Sequence, residues 1–378
     1  MTSPRTQLKL TPLHAAHVAS GARMVPFGGW DMPVQYRNGI ISEVRSVRNS
    51  AGMFDVSHMG RVEFSGASAE AFLGSVLSVD MTALGTGRSK YHVICNEQGG
   101  IIDDAIVYRL GDQKFLLVIN AGNAEADLAW LLPRAHSRGN VHAEILTERI
   151  AMVAVQGPQA VEIVDRLSGS TASKIKRFSL GDAEVVGIPA RLARTGYTGE
   201  DGFEIMAAAG RAVELWNKLA EAGVAMCGLG ARDVLRLEAG LMLHGNDMAV
   251  DNNPFEAGLE RFAYIENPDY VAADALRQIR SEGTDRTITG FKMVEPGIPR
   301  HGMKIIQLGS ELVTAGPDGR RIGIVTSGTH SPTLDAAIGM GYVDRRFAAV
   351  GTRISIDVRG KLVEAEVVPL PFYSRKKT

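Results

Sequence analysis

The sequence predicts an α+β protein of two or three domains that ends in an all-β, barrel-like domain. Three observations carry that expectation. Residues 89–120 read as three consecutive strands, residues 147–283 alternate strand and helix patterns, and short strands alone follow from 284. A chain of 378 residues also exceeds what one ordinary core supports.

In chain order, Thr11-Pro12 opens a helix, with the hydroxyl as cap and proline in the first turn. "IISEVRSVRNSAG" has amphipathic helical spacing and a stop at Gly52. Residues 68–77 read as a further short helix. "SKYHVIC", "IIDDAIVYRL" and "KFLLVIN" form an antiparallel meander, joined by "NEQGG" and "GDQ". "AGNAEADLAWLL" returns to helical spacing. "IAMVAVQGPQAVEIVDRL" is a strand, a Gly-Pro turn and a helix; "ARLARTGYTGEDGFEIMA" is two strands around a Gly-rich hairpin; "RAVELWNKLAEAG" is a helix closed by Gly223. After a linker near "RSEGTDR" come "TITGFKMV", "MKIIQLG", "ELVT", "RRIGIVTSG", "AIGMGYV", "RISIDV" and "KLVEAEVV", evenly spaced short strands that suit a small barrel or sandwich.

Composition narrows the function. Forty-one basic residues balance forty-two acidic ones, which gives no argument for nucleic acid or a membrane surface. Two cysteines, Cys95 and Cys227, suit a reducing compartment. The start "MTSPRTQLKL" has no apolar run behind it, and no stretch approaches a membrane span. A cytoplasmic, soluble protein is expected. The nine histidines are scattered without metal-ligand spacing, so no metal site is expected.

The stretch "GGIIDDAIVY" poses the sharpest question, because an unpaired buried carboxylate is expensive. Strand alternation puts Asp104 with Ile102, Ile106 and Tyr108, and Asp103 with Ile101, Ala105 and Val107. The two acids then face different surroundings rather than sharing one proton. Two readings stay open: an acid that ends a hydrogen-bond network beside a solvated one, or a desolvated carboxylate able to accept a proton.

"RTGYTGEDGFEI" places four glycines, Tyr197 and Glu204 where a backbone could approach a ligand closely, or it is a flexible surface hairpin. In "GLGARDVLRLEAG" the helix is expected to start near Ala231. Arg232 then opposes the helix dipole, which calls for a partner: a ligand carboxylate, Glu204, or a salt bridge to Asp233 or Glu238. "GMFDVSHMG" holds Asp55, Ser57 and His58, but the spacing is too compressed for a catalytic triad, and a turn with an apolar lip is expected. Nucleotide-loop, zinc-protease and nucleophile-elbow motifs are absent.

Together, "GARMVPFGGWDMP", "GMFDVSHMG", "GGIIDDAIVY", "MVAVQGPQA", "RTGYTGEDGFEI", "GLGARDVLRLEAGLMLHG", "NPFEAGL" and "TSGTHSPTL" resemble the T-protein family of the glycine cleavage system, the aminomethyltransferases. The resemblance implies a three-domain clover-leaf arrangement around a central cavity that holds tetrahydrofolate. The domains would be 1–54 with 145–283, then 55–144, then an all-β barrel over 284–378. It implies transfer of a methylene from the aminomethyl-lipoyl arm of a partner H-protein to tetrahydrofolate, with release of ammonia. It carries the folate-nitrogen acid onto Asp104 and the pterin acid onto Glu204. Tyr91, Tyr108 and Tyr197 resemble the aromatics around the pterin and aminobenzoyl rings, and Arg232 the cation of the folate site. Asn120, Tyr373 and Arg375 are further candidate ligands. Phe262 departs from the tryptophan common in relatives. Two alternatives stay in view: a folate-dependent demethylase of the same fold, and a non-catalytic folate-binding module. The latter would carry a KGCYxGQE-type cysteine motif that this hairpin lacks.

Overall fold

The computed structural model describes residues 7–307 and 320–375. The meander forms as the alternation requires. Ser89–Cys95, Ile101–Gly111 and Lys114–Ile119 pair antiparallel in that order, and Gly60–Ser65 and His142–Ile145 extend the sheet. Its inward residues Val62, Phe64, Ala105, Val107, Phe115 and Leu117 pack with Phe72 and Leu73 of helix Ala69–Val76 and Leu131 of helix Ala124–Arg138.

A second sheet runs in the order Leu180–Val185, Ile188–Ala193, Gly202–Ala208, Ile150–Gln156, Gly52–Asp55, Ala225–Met226. Only the last pair is parallel. One face packs on helices Ala160–Leu167 and Ala212–Glu221 through Ile163, Val164, Leu215 and Trp216. The other face joins the meander: Phe54, Met152 and Met206 meet Tyr108, Leu116 and Val118, together with Val234 and Leu235 of helix Leu229–Glu238.

Strands Arg286–Met293, Ala336–Asp344, Arg320–Ser331, Lys304–Gln307, Arg353–Val358 and Lys361–Val368 close a six-stranded barrel in that order. The expected strand "ELVT" falls outside the described residues. The Leu229–Glu238 helix lies where the three bodies meet. Its Leu237 packs with Val93 and Ile101 of the meander and with Ile338 and Met340 of the barrel. Two buried ion clusters fix it: Arg236 binds Asp247, and Arg48 binds Glu238 and Glu200 at 2.7 Å each. Among the described residues no helix is long and apolar enough to cross a membrane.

Several local expectations are corrected. The first helix begins at His14, not at Thr11-Pro12; the Thr11 hydroxyl accepts from the Leu13 N–H at 3.3 Å just before it and also donates to the buried Asp55 at 2.6 Å. The second helix ends at Asn49, and Gly52 opens a strand. A Cβ there would lie 2.5 Å from Val47 Cγ2, so the glycine serves packing and not helix termination. The Leu229–Glu238 helix starts two residues before Ala231. "GMFDVSHMG" is two strands joined by a turn. The ribbon Arg23–Phe27 with Trp30–Gln35 and the strand Leu180–Val185 had no alternation clear enough to read.

Candidate active site

The site is assembled at the joint just described. Asp104 is half-buried on the Ile101–Gly111 strand, while its neighbour Asp103 is fully buried on the opposite face. Tyr91, one strand over, donates its hydroxyl to Asp104 Oδ2 at 2.9 Å. Phe262 stands edge-on to that tyrosine at 4.8 Å. Asn120, at the end of the third meander strand, donates from Nδ2 to Asp104 Oδ1 at 2.7 Å and to Asp103 Oδ1 at 2.8 Å. The two acids face different surroundings, as strand alternation predicts, but one amide reaches both. Burial, then the Asp103 charge, pushes the Asp104 carboxyl up to about 7, against the hydrogen bonds of Tyr91 and Asn120.

Behind them lie two residues the sequence did not single out. Asp127 is fully buried and accepts from Asn123 Nδ2 at 2.9 Å. His244 Nδ1 stands 3.7 Å from Asp103 Oδ1, and its Nε2 has no partner among the described residues. Neither had a usable signal. Asp127 reads as an ordinary first-turn acid of a helix, and His244 sits alone in a loop.

The second acid, Glu204, is buried on strand Gly202–Ala208. The Thr195 hydroxyl donates to its Oε2 at 2.5 Å, and the Tyr108 hydroxyl lies 3.0 Å from that of Thr195. Tyr108 is fully buried with its hydroxyl against Thr195, so it presents no free ring face. The connection 194–201 is ordered against the sheet rather than a flexible surface hairpin. A Cβ on Gly196 would fall 1.9 Å from Gln156 Oε1, so a larger residue there would displace the Gln156 side chain that bonds Thr195 and Thr198.

Arg232 lies against Tyr197 and within reach of the Glu204 charge. Its guanidinium carbon is 4.7 Å from the centre of the Tyr197 ring. The salt-bridge alternatives fail: Asp233 pairs with Arg236 at 2.8 Å, and Glu238 is taken by Arg48. Arg232 Nη1 is buried with no partner among the described residues. Burial holds this guanidinium below its usual range, while Glu204 pulls it back up. Burial and the nearby Asp104 charge both raise the Tyr197 phenol, against the pull of Arg236. A cation left unsatisfied inside a protein is costly, so a ligand acceptor fits here.

The compressed triad does not form. Ser57 bonds the Met152 carbonyl oxygen at 3.3 Å, and Asp55 is held by His17 at 3.0 Å. Burial, against the pull of the Asp55 charge and with the help of Arg232 and Arg61, lowers the buried His58 to about 4, so it is neutral. Tyr373 is not joined to Asp104 or Arg232; Arg48 lies 3.9 Å over its ring, and its N–H donates to the Glu238 carbonyl oxygen at 2.7 Å. Arg375 pairs with Asp201 at 3.1 Å.

This arrangement sets a carboxylate of raised proton affinity, a buried acceptor and an unpaired cation beside aromatic rings. It suits an organic ligand with basic nitrogens and a polar heterocycle. Comparison with known proteins agrees. Residues 13–267 match the GCVT N-terminal domain, and residues 286–374 match the glycine cleavage T-protein C-terminal barrel domain. The aminomethyltransferase of Geobacillus sp. (strain WCH70) is 42% identical over 98% of this chain and 100% of its own length. That of Bacillus subtilis (strain 168) is 40% identical over 97% of this chain and 100% of its own. The crystal structure of glycine cleavage system aminomethyltransferase T from Bartonella henselae superposes with a TM-score of 0.89 at 37% identity, covering 97% of this chain and 98% of that one. The chain belongs to the glycine cleavage T-protein family, the aminomethyltransferases of the glycine cleavage system.

Proposed function

We propose that the chain transfers the methylene of an aminomethyl group, carried on the lipoyl sulfur of H-protein, to tetrahydrofolate. The carbon–sulfur and carbon–nitrogen bonds of the donor break, and two bonds form to folate nitrogens. The two folate N–H protons end on the lipoyl thiol and on ammonia, so atoms balance. The observation that carries this reading is the Asp104 carboxylate, poised near 7 between the Tyr91 hydroxyl and the Asn120 amide. Ionised, it orients a folate amine, accepts its proton and stabilises the iminium that develops as the sulfur leaves.

Glu204 receives the paired N–H donors of the pterin. Arg232 supplies the cation, with Tyr197 and Tyr91 as the aromatic faces. The domain division proposed is 1–54 with 145–283, 55–144 and 284–378; it is supported by each of the three large sheets drawing almost all its strands from one of these parts.

The test is ammonia release from aminomethyl-loaded, lipoylated H-protein with and without tetrahydrofolate. Release that requires the folate is expected. No release, with turnover of a small N-methyl donor, would favour the demethylase.

A further inference from the structure

Asp103 and Asp127 are both fully buried, and their carboxyl groups lie against each other. Among the described residues no lysine or arginine pairs with either acid; only the His244 imidazole approaches Asp103. Asp103 already accepts two hydrogen bonds from Asn120, one from its backbone N–H at 3.1 Å and one from its side chain. Asp127 Oδ1 accepts from Asn123, but Oδ2 is buried and faces no N–H or O–H donor among the described residues. Two touching carboxylates in a dry site cannot both be ionised. The acid with the donor-free oxygen is the one that holds the proton, and that oxygen becomes the donor.

We propose that Asp127 is a positioning residue that keeps its proton at neutral pH, donates it to Asp103, and so fixes the Asn120 amide against Asp104. The acid pair carries one negative charge instead of two, and Asp103 keeps the geometry that aims Asn120. Burial, then the Asp103 charge, pushes the Asp127 carboxyl up to about 10. The other groups facing the pair are Asp104 on the same strand as Asp103, His244 from its loop, and Asn120 and Asn123. The inference rests on the reading of Asp104 given above for its catalytic consequence, but not for its protonation claim.

Protonation is tested by stability, without any assay of activity. Between the unfolded aspartate value of about 4 and the folded value, the native fold holds one proton the unfolded chain has released. Native stability therefore falls as pH rises through that window, and Asp127→Asn, a permanently neutral donor, removes the loss. In urea unfolding, the folding equilibrium of Asp127→Asn relative to native should improve about tenfold per pH unit between pH 6 and 8. A ratio that stays flat with pH contradicts the proposal, as does an Asp127→Asn chain that does not fold. The positioning role is tested by the pH profile of turnover. Asp127→Leu should displace its acid limb by half a pH unit or more, and Asp127→Asn should restore it. A Leu variant that is uniformly slower with an unmoved limb overturns the link to Asp104.

Discussion

Asn120 Nδ2 lies 2.7 Å from Asp104 Oδ1 and 2.8 Å from Asp103 Oδ1, so one amide spans two acids on opposite faces of a strand. This bridge lets the charge of Asp103 act on Asp104 while fixing the Asp104 carboxylate in place. Removing it as Asn120→Ala takes away a bond that favours the ionised form of Asp104. The acid limb of turnover should then move up by about one pH unit, the scale of a charge-assisted hydrogen bond. A pH–rate profile of the variant checks this.

The native profile follows from the same carboxylate. Asp104 acts as a base only when ionised, and its folded value is raised to about 7. Turnover should be level above that pH and fall about tenfold per unit below it. A profile flat down to pH 5 would place the reacting proton on another group.

Glu204 is the buried acceptor of the Thr195 hydroxyl, and under the proposed function truncating it also leaves the pterin donors unpaired. Glu204→Ala should weaken tetrahydrofolate binding by about 1–3 kcal/mol, read by calorimetric or fluorescence titration. Unchanged affinity would remove Glu204 from the pterin site.

Arg232 has a cation–aromatic contact but no ion pair among the described residues. Arg232→Lys keeps the charge and loses the planar fork. It should weaken folate about tenfold while leaving the melting temperature nearly unchanged. A large fall in melting temperature with native affinity would make the arginine structural.

Arg48 has the opposite character, since it neutralises Glu200 and Glu238 in the interior and lies over Tyr373. Arg48→Met leaves two buried carboxylates without their cation. A loss of about 3–5 kcal/mol is expected in urea unfolding.

The meander and the barrel strands were legible because apolar residues alternate in them. Asp103 and Asp104 stood out as charges inside such a run. The bridge between those acids was not legible, because Asn120 meets them only when the third strand pairs beside the second. Asp127 was hidden for a related reason: an acid in the first turn of a helix is normal, and only the tertiary fold buries it against Asp103. Arg232 was legible as a misplaced cation. That its nearby acids are taken by Arg236 and Arg48 needed the structure. The irregular ribbon at Arg23–Phe27 and Trp30–Gln35 carries prolines and a register shift, which blur the period that marks a strand.

The most direct measurement is the turnover of Asp104→Asn with loaded H-protein and tetrahydrofolate, made alongside a folate titration. The account predicts folate affinity within about threefold of native and turnover lower by about two orders of magnitude or more. Turnover near the native rate would contradict it.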